Sequence, residues 1–115
     1  RYYLHELSVT VGLLELVKDA IKGEDKKVKK INVVVGDLSG IDHKCVDFYF
    51  DIISQNTLAH GAILKFTEEK SKFQCKDCQQ IYQREDFYFN CPHCGGRGNI
   101  VKSCISLYVE SIEVE

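Results

Sequence analysis

Two CxxC pairs, Cys75-Lys76-Asp77-Cys78 and Cys91-Pro92-His93-Cys94, constrain this 115-residue chain more than any other feature of it. Two residues between the cysteines of a pair let both sulfurs turn toward one point, and two such turns complete a tetrahedral S4 site. Gly95 permits a tight backbone turn just after the second pair. Zinc suits the site because it brings no geometric preference of its own and favours deprotonated thiolates at about 2.3 Å. An iron site and a redox dithiol pair are the alternatives. A module of about 30 residues cannot bury enough apolar surface to fold alone, so bound metal would supply the missing free energy. Four thiolates leave no open position for catalysis. The twelve-residue spacer Gln79 to Asn90 is long enough for a hairpin containing Ile81, Tyr82, Phe87, Tyr88 and Phe89. His93 reads as a solvent-facing histidine on the knuckle, the alternative being exchange with a cysteine ligand. Cys45 and Cys104 stand alone in apolar patterns and read as buried small hydrophobes.

Around this module the pattern changes. Val9, Leu13, Leu14, Leu16, Val17, Ala20 and Ile21 recur at three- and four-residue intervals, which predicts a helix over 9–21 with Ser8 or Thr10 as cap. Residues 23–30, with Lys26, Lys27, Lys29 and Lys30, read as a solvated charged connection. The β-branched run Ile31 to Val35 predicts a strand, ended by the turn residues Gly36, Asp37, Ser39 and Gly40. Asp42 is placed to cap a second helix ending near Ser54, with Cys45, Val46, Tyr49, Phe50 and Ile53 on one face. Strands follow at 62–68 and 105–115, the second with a bulge near Ser111 and with Ile105, Leu107 and Val109 on one face. The expected architecture is α+β: a small sheet packed by two helices, formed by 1–70 and 104–115, with a zinc-ribbon module inserted over 71–103.

Composition narrows the function. Apolar residues make up 44% and charged residues 28%, with a net charge of −2, as in an ordinary globular protein and against broad electrostatic binding of nucleic acid. No stretch approaches the roughly 20 apolar residues of a membrane span, and no secretory signal is apparent. The expectation is a soluble, cytoplasmic protein without a membrane or nucleic-acid partner. Methionine is absent even from position 1, so Arg1-Tyr2-Tyr3 is expected to be processed, trimmed or added material.

Read in order, His5-Glu6-Leu7-Ser8, Gly36-Asp37-Leu38-Ser39-Gly40, Gly61-Ala62, the two cysteine pairs and Ser111-Ile112-Glu113-Val114-Glu115 closely resemble the HypA/HybF family of hydrogenase maturation nickel metallochaperones. The resemblance implies a nickel-binding domain, a structural zinc ribbon and no catalytic activity. In that family a Met-His-Glu start binds nickel, and the matching positions are His5 and Glu6; an acidic residue after the turn has also been linked to nickel, and Asp42 matches it. The implied partners are a HypB-type GTPase, which would load or receive the nickel, and the precursor of a [NiFe] hydrogenase large subunit. The oligomeric state is left open, a homodimer included. His60 stands where the family often has an acidic residue and reads as a surface histidine.

The chemistry agrees with the resemblance. Nickel(II) is well served by a square of nitrogens, and a chain beginning X-His offers its terminal amine, its imidazole and backbone amides in adjoining chelate rings. Glu6 would add a backbone nitrogen and a negative charge that offsets the dipole of the following helix. The chain as written departs from this pattern, because Leu4 stands in place of the methionine and three residues precede it. A competing reading treats the chain as a zinc-ribbon interaction module acting on nucleic acid or a polymerase; the acidic net charge opposes it. A thiol oxidoreductase would need a strand-helix context that neither pair has. A version beginning at Leu4 is predicted to bind nickel more tightly than the chain as written; equal affinities in a competition titration would refute the terminal-amine mechanism.

Overall fold

The computed structural model describes residues 4–84 and 89–115, so Phe87 and Tyr88 of the expected hairpin, like Arg1-Tyr2-Tyr3, lie outside the described residues. The elements in chain order are α1 (Leu4–Ala20), β1 (Val28–Gly36), α2 (His43–Ile53), β2 (Ile63–Glu69), β3 (Lys72–Cys75), β4 (Ile81–Tyr82), β5 (Gly98–Lys102) and β6 (Leu107–Val114). They form two compact units. One takes in the chain up to Val35, Ile41–Thr67 and Leu107–Glu115; the other consists of Gly36–Gly40 and Glu68–Ser106.

The first unit is α+β, with a three-stranded sheet in the order β2-β1-β6. Its core joins Leu13, Leu14, Val17 and Ile21 of α1, Val28, Ile31, Val33 and Val35 of β1, and Val46 and Phe50 of α2. Val28 and Ile31 are three residues apart, which in a regular strand would put them on opposite faces. A register shift between Val28 and Lys30 in the antiparallel pairing with β6 absorbs the extra residue and keeps both in the core. A second shift does the same on β6: Asn32 pairs with Ser111 and Val33 with Val109, so Glu110 is the additional residue. Leu107 and Val109 before it, and Ile112 and Val114 after it, therefore pack against one core. The bulge expected near Ser111 lies beside that residue, and Ile105 falls outside the strand and is exposed. β1 begins at Val28, so the charged connection is shorter than its lysines suggest.

Asp42 caps α2: its side chain accepts from the Lys44 N–H at 3.0 Å, and Ser54 closes the other end. That hydrogen bond, aided by the Cys45 thiol, holds the Asp42 carboxyl below its ordinary range despite the opposing effect of burial. Cys45 is only half-buried, and its thiol donates to Asp42 Oδ2 at 3.7 Å, so it is a polar partner of the cap as well as a small hydrophobe.

α1 starts at Leu4, earlier than its apolar periodicity suggests, so His5 and Glu6 lie in its first turn and neither Ser8 nor Thr10 is a cap. Thr10 is buried, and its hydroxyl donates to the Glu6 carbonyl at 2.6 Å, one turn back. Glu6 is fully buried as well, with Oε2 accepting from the Asp42 N–H at 3.0 Å. A carboxylate from α1 thus fixes the entry into α2. Removing it strips a part-buried N–H of its carboxyl partner, so Glu6→Ala is expected to lower stability by about 1–3 kcal/mol. Glu6→Gln, which retains an acceptor oxygen, should lower it less; equal midpoints for wild type and Glu6→Ala in a urea titration would contradict this role.

Candidate metal centre

The second unit is a sheet in the order β4-β3-β5 around a core of Phe73, Cys75, Tyr82 and Cys91, with Leu38 and Cys78 partly buried against it. Both flanks of β3 pair antiparallel, Phe73 opposite Tyr82 and Ile100. Phe73 stacks on Tyr82 at 5.6 Å between centroids and meets the edge of Phe89 at 5.5 Å. Of the expected hairpin, Ile81 and Tyr82 form the two-residue β4. The Tyr82 hydroxyl donates to the Phe89 carbonyl, which ties the start of the spacer to its end.

The two cysteine pairs form matched turns. In the first, the Gln79 N–H donates to the Cys75 carbonyl at 3.1 Å and the Cys78 N–H points at Cys75 Sγ at 3.5 Å. In the second, the Gly95 N–H donates to the Cys91 carbonyl at 2.8 Å and the His93 N–H points at Cys91 Sγ at 3.4 Å. The residue four places after the leading cysteine is left-handed in both, Gln79 at φ 64 and Gly95 at φ 77. Glycine adopts that conformation freely, whereas a side chain costs about 1–2 kcal/mol there. The first turn bears this cost with Gln79, whose side chain donates to the Lys76 carbonyl at 3.1 Å.

These turns bring the four sulfurs within 4.8 Å of one another, the one such group of three or more potential ligands among the described residues. Two of the sulfur contacts run across the pairs, Cys75 to Cys94 at 3.4 Å and Cys78 to Cys91 at 3.6 Å, and all four cysteines are free. A tetrahedron with bonds of about 2.3 Å has edges of about 3.8 Å, so the sulfurs stand at the spacing an S4 ion needs. A redox dithiol needs only the two sulfurs of one pair, whereas here all four converge.

Electrostatics point the same way. The Cys78 N–H, with smaller help from Asp77 and the neighbouring thiols, lowers the Cys75 thiol to about 7. The Gly96 N–H favours the Cys94 thiolate, but the nearby Cys75 sulfur, burial and the other two sulfurs outweigh it and push Cys94 up to about 12. Cys78 is likewise raised: the Gln80 N–H favours its thiolate, and burial with the Cys91 and Cys75 sulfurs overrides that. One negative charge is accepted readily and the following ones are resisted, a frustration that a bound cation relieves. His93 is exposed on the second knuckle.

The remaining sequence-derived candidates lie in the first unit. His5 is exposed in the first turn of α1, while Glu6 and Asp42 meet through the carboxylate-to-amide bond described above. The fold therefore brings two of the three together, and His5 does not join them in a preassembled group of three ligands.

Spacing gave no sign of the network around Asp37, a residue read as a simple turn former. Its Oδ1 accepts from Ser71 N–H at 3.0 Å and Ser71 Oγ at 2.7 Å, and Arg84 lies 3.7 Å from its Oδ2 while donating to its carbonyl at 3.0 Å. Ser71 Oγ in turn accepts from the Cys104 N–H at 2.8 Å. Next to it, a Cβ on Gly36 would collide with the Cys104 carbonyl, so only glycine fits. Cys104 is buried as expected, and burial, with Glu69 beside it, raises its thiol.

Fold and site together define a small α+β metal-binding protein with a four-cysteine ribbon. The sequence pattern described as "Hydrogenase/urease nickel incorporation, metallochaperone, hypA" matches residues 4–114, and the chain belongs to this HypA family. A relative from Caldanaerobacter subterraneus subsp. tengcongensis, named Hydrogenase maturation factor HypA, is 48% identical over 114 residues, covering 97% of this chain and 100% of its own. One of the same name from Dehalococcoides mccartyi is 36% identical over 113 residues, covering 97% and 95%. Among solved structures, the solution structure of the Ni metallochaperone HypA from Helicobacter pylori superposes with a TM-score of 0.61 at 25% identity, covering 95% of this chain and 96% of that one. No helix among the described residues is long and apolar enough to cross a membrane.

Metal affinity of the cluster is expected to fall with pH, because protons must leave the thiols before a metal can bind. With Cys75 near 7 and Cys94 near 12, the loss should be steep below neutrality; a competition titration with a chelator at pH 6 and pH 8 that returned one affinity would contradict it. Gly95→Val should weaken the metal-bound ribbon by about 1–2 kcal/mol through its left-handed backbone, read as a lower unfolding midpoint of the loaded protein.

Proposed function

We propose that this chain carries nickel(II) as cargo and delivers it to the precursor of a [NiFe] hydrogenase, with zinc held structurally by Cys75, Cys78, Cys91 and Cys94. The observation that carries the reading is the match to the nickel-incorporation family over 4–114, joined to a sulfur cluster that offers four ligands and therefore no open place for a travelling ion. Hydrogenase is preferred as the target because the relatives named above are hydrogenase maturation factors.

In this reading His5 anchors nickel. Its imidazole is exposed, and it stands in the first turn of a helix, where the leading amides have no carbonyl of their own helix to donate to. Nickel favours such nitrogen donors in a planar arrangement. Glu6 contributes a backbone nitrogen and, through its buried carboxylate, negative charge behind the site; Asp42 adds a second carboxylate at the cap it shares with Glu6. Ligands set on a helix end and a cap, rather than in a cage, allow the ion to leave. A GTPase of the HypB type would load or receive it, and partner binding that reshapes the His5 turn would shift the population toward release. The protein works in the cytoplasm, where the maturation partners are made.

His5→Ala separates this reading from that of a ribbon module without nickel transport. The histidine is exposed, so its removal leaves the fold intact. Nickel affinity is expected to fall at least about tenfold, the loss of one strong ligand, while zinc content stays unchanged. Unaltered nickel affinity, or loss of both metals together, would contradict the assignment.

A further inference from the structure

We propose that the ribbon holds a receptor groove for an acidic peptide segment of a partner protein, a function separate from the binding of either metal. A groove of about 550 Å³ opens in the second unit. Its lining includes the cations Lys70 and Lys72, before and at the start of β3, and Arg84, just beyond β4, together with the apolar rings and side chain of Tyr82, Pro92 and Ile81. The chain as a whole is acidic, at −2, so this groove inverts the overall charge.

The lysines are available. Elsewhere Lys18, Lys30 and Lys102 each lie 3.9 Å from a glutamate. Lys70 and Lys72 have no ion-pair partner among the described residues, and no carboxylate among those residues lines the groove. Arg84 is positioned for recognition rather than left mobile. Asp37 engages its Nη2 and Nε, and the guanidinium lies 5.0 Å above the Phe89 ring. Arginine has five N–H donors in a fixed fork, so the groups not directed at Asp37 are held in a set orientation.

The lining selects the kind of anion. Many phosphate and nucleotide sites draw on converging backbone amides at a helix N-terminus or a glycine-rich nest, and among the described residues no helix residue and no glycine lines the groove. Single-stranded nucleic acid would need exposed aromatic faces to stack on, and Tyr82 is buried in the ribbon core. Spaced cations beside exposed Ile81 and Pro92 match a peptide that alternates carboxylates with aliphatic stems.

The test uses the full-length, zinc-loaded protein and an amidated hexaglutamate peptide, followed by ¹⁵N-resolved chemical shifts at fixed ionic strength. Saturable shifts are expected at 70–72, 81–84 and 92. The double variant Lys70→Gln, Lys72→Gln should weaken binding about tenfold or more, with zinc content unchanged, because both side chains are exposed. Inorganic phosphate, ATP and a short single-stranded RNA, run as parallel arms, should compete poorly. Absence of saturable binding, undiminished binding by the double variant, or competition by phosphate or RNA as effective as that by the peptide would overturn the proposal.

Discussion

Four sulfur atoms within 4.8 Å of one another are a demanding arrangement to hold without a cation. Each thiolate formed makes the next harder to form, and the spread from about 7 at Cys75 to about 12 at Cys94 expresses that repulsion. The same two turns carry the sheet of the second unit, whose apolar core is little more than Phe73, Tyr82 and two of the cysteines. So small a core cannot sustain a fold by burial alone. The ribbon's stability is therefore expected to be largely metal-binding energy, and its geometry leaves the cluster no spare coordination position for a second task.

The first unit is held by different means. A conventional apolar core joins two helices to a three-stranded sheet, and its polar detail is concentrated where α1 and α2 begin. There a buried glutamate reaches from one helix to the backbone of the other, and a capping aspartate receives both an amide and a thiol. Oxygen and nitrogen donors accumulate near two helix starts, with His5 exposed there, whereas the four sulfurs converge in one cluster, and that contrast in donor type and arrangement underlies the proposed contrast between resident and travelling metal.

Local signals in the sequence were readable where short-range rules decide the outcome. Asp42 ahead of a 3.6-residue apolar pattern marks its helix because cap and periodicity lie within one segment. The cysteine turns were legible because spacing aims both sulfurs, so the meeting of all four required only that two turns face each other. The start of α1 was not legible: Ser8 and Thr10 look like caps, and only tertiary packing makes Thr10 a buried partner of the Glu6 carbonyl. Asp37 was missed for a similar reason, its partners Ser71 and Arg84 lying 34 and 47 residues away. The offset of three between Val28 and Ile31 did carry a signal of a bulge, since an odd spacing cannot keep two residues on one face of a regular strand. The roles given to His5, Glu6 and Asp42 came from likeness to a family rather than from any spacing rule.

The central claim is a separation of two metals by donor chemistry within one small chain, and X-ray absorption at both metal edges reads it directly. In the full-length protein loaded with equimolar zinc and nickel, the zinc edge is predicted to show four sulfur neighbours and the nickel edge only nitrogen and oxygen. Sulfur scattering at the nickel edge, or nitrogen and oxygen replacing sulfur around zinc, would contradict the account.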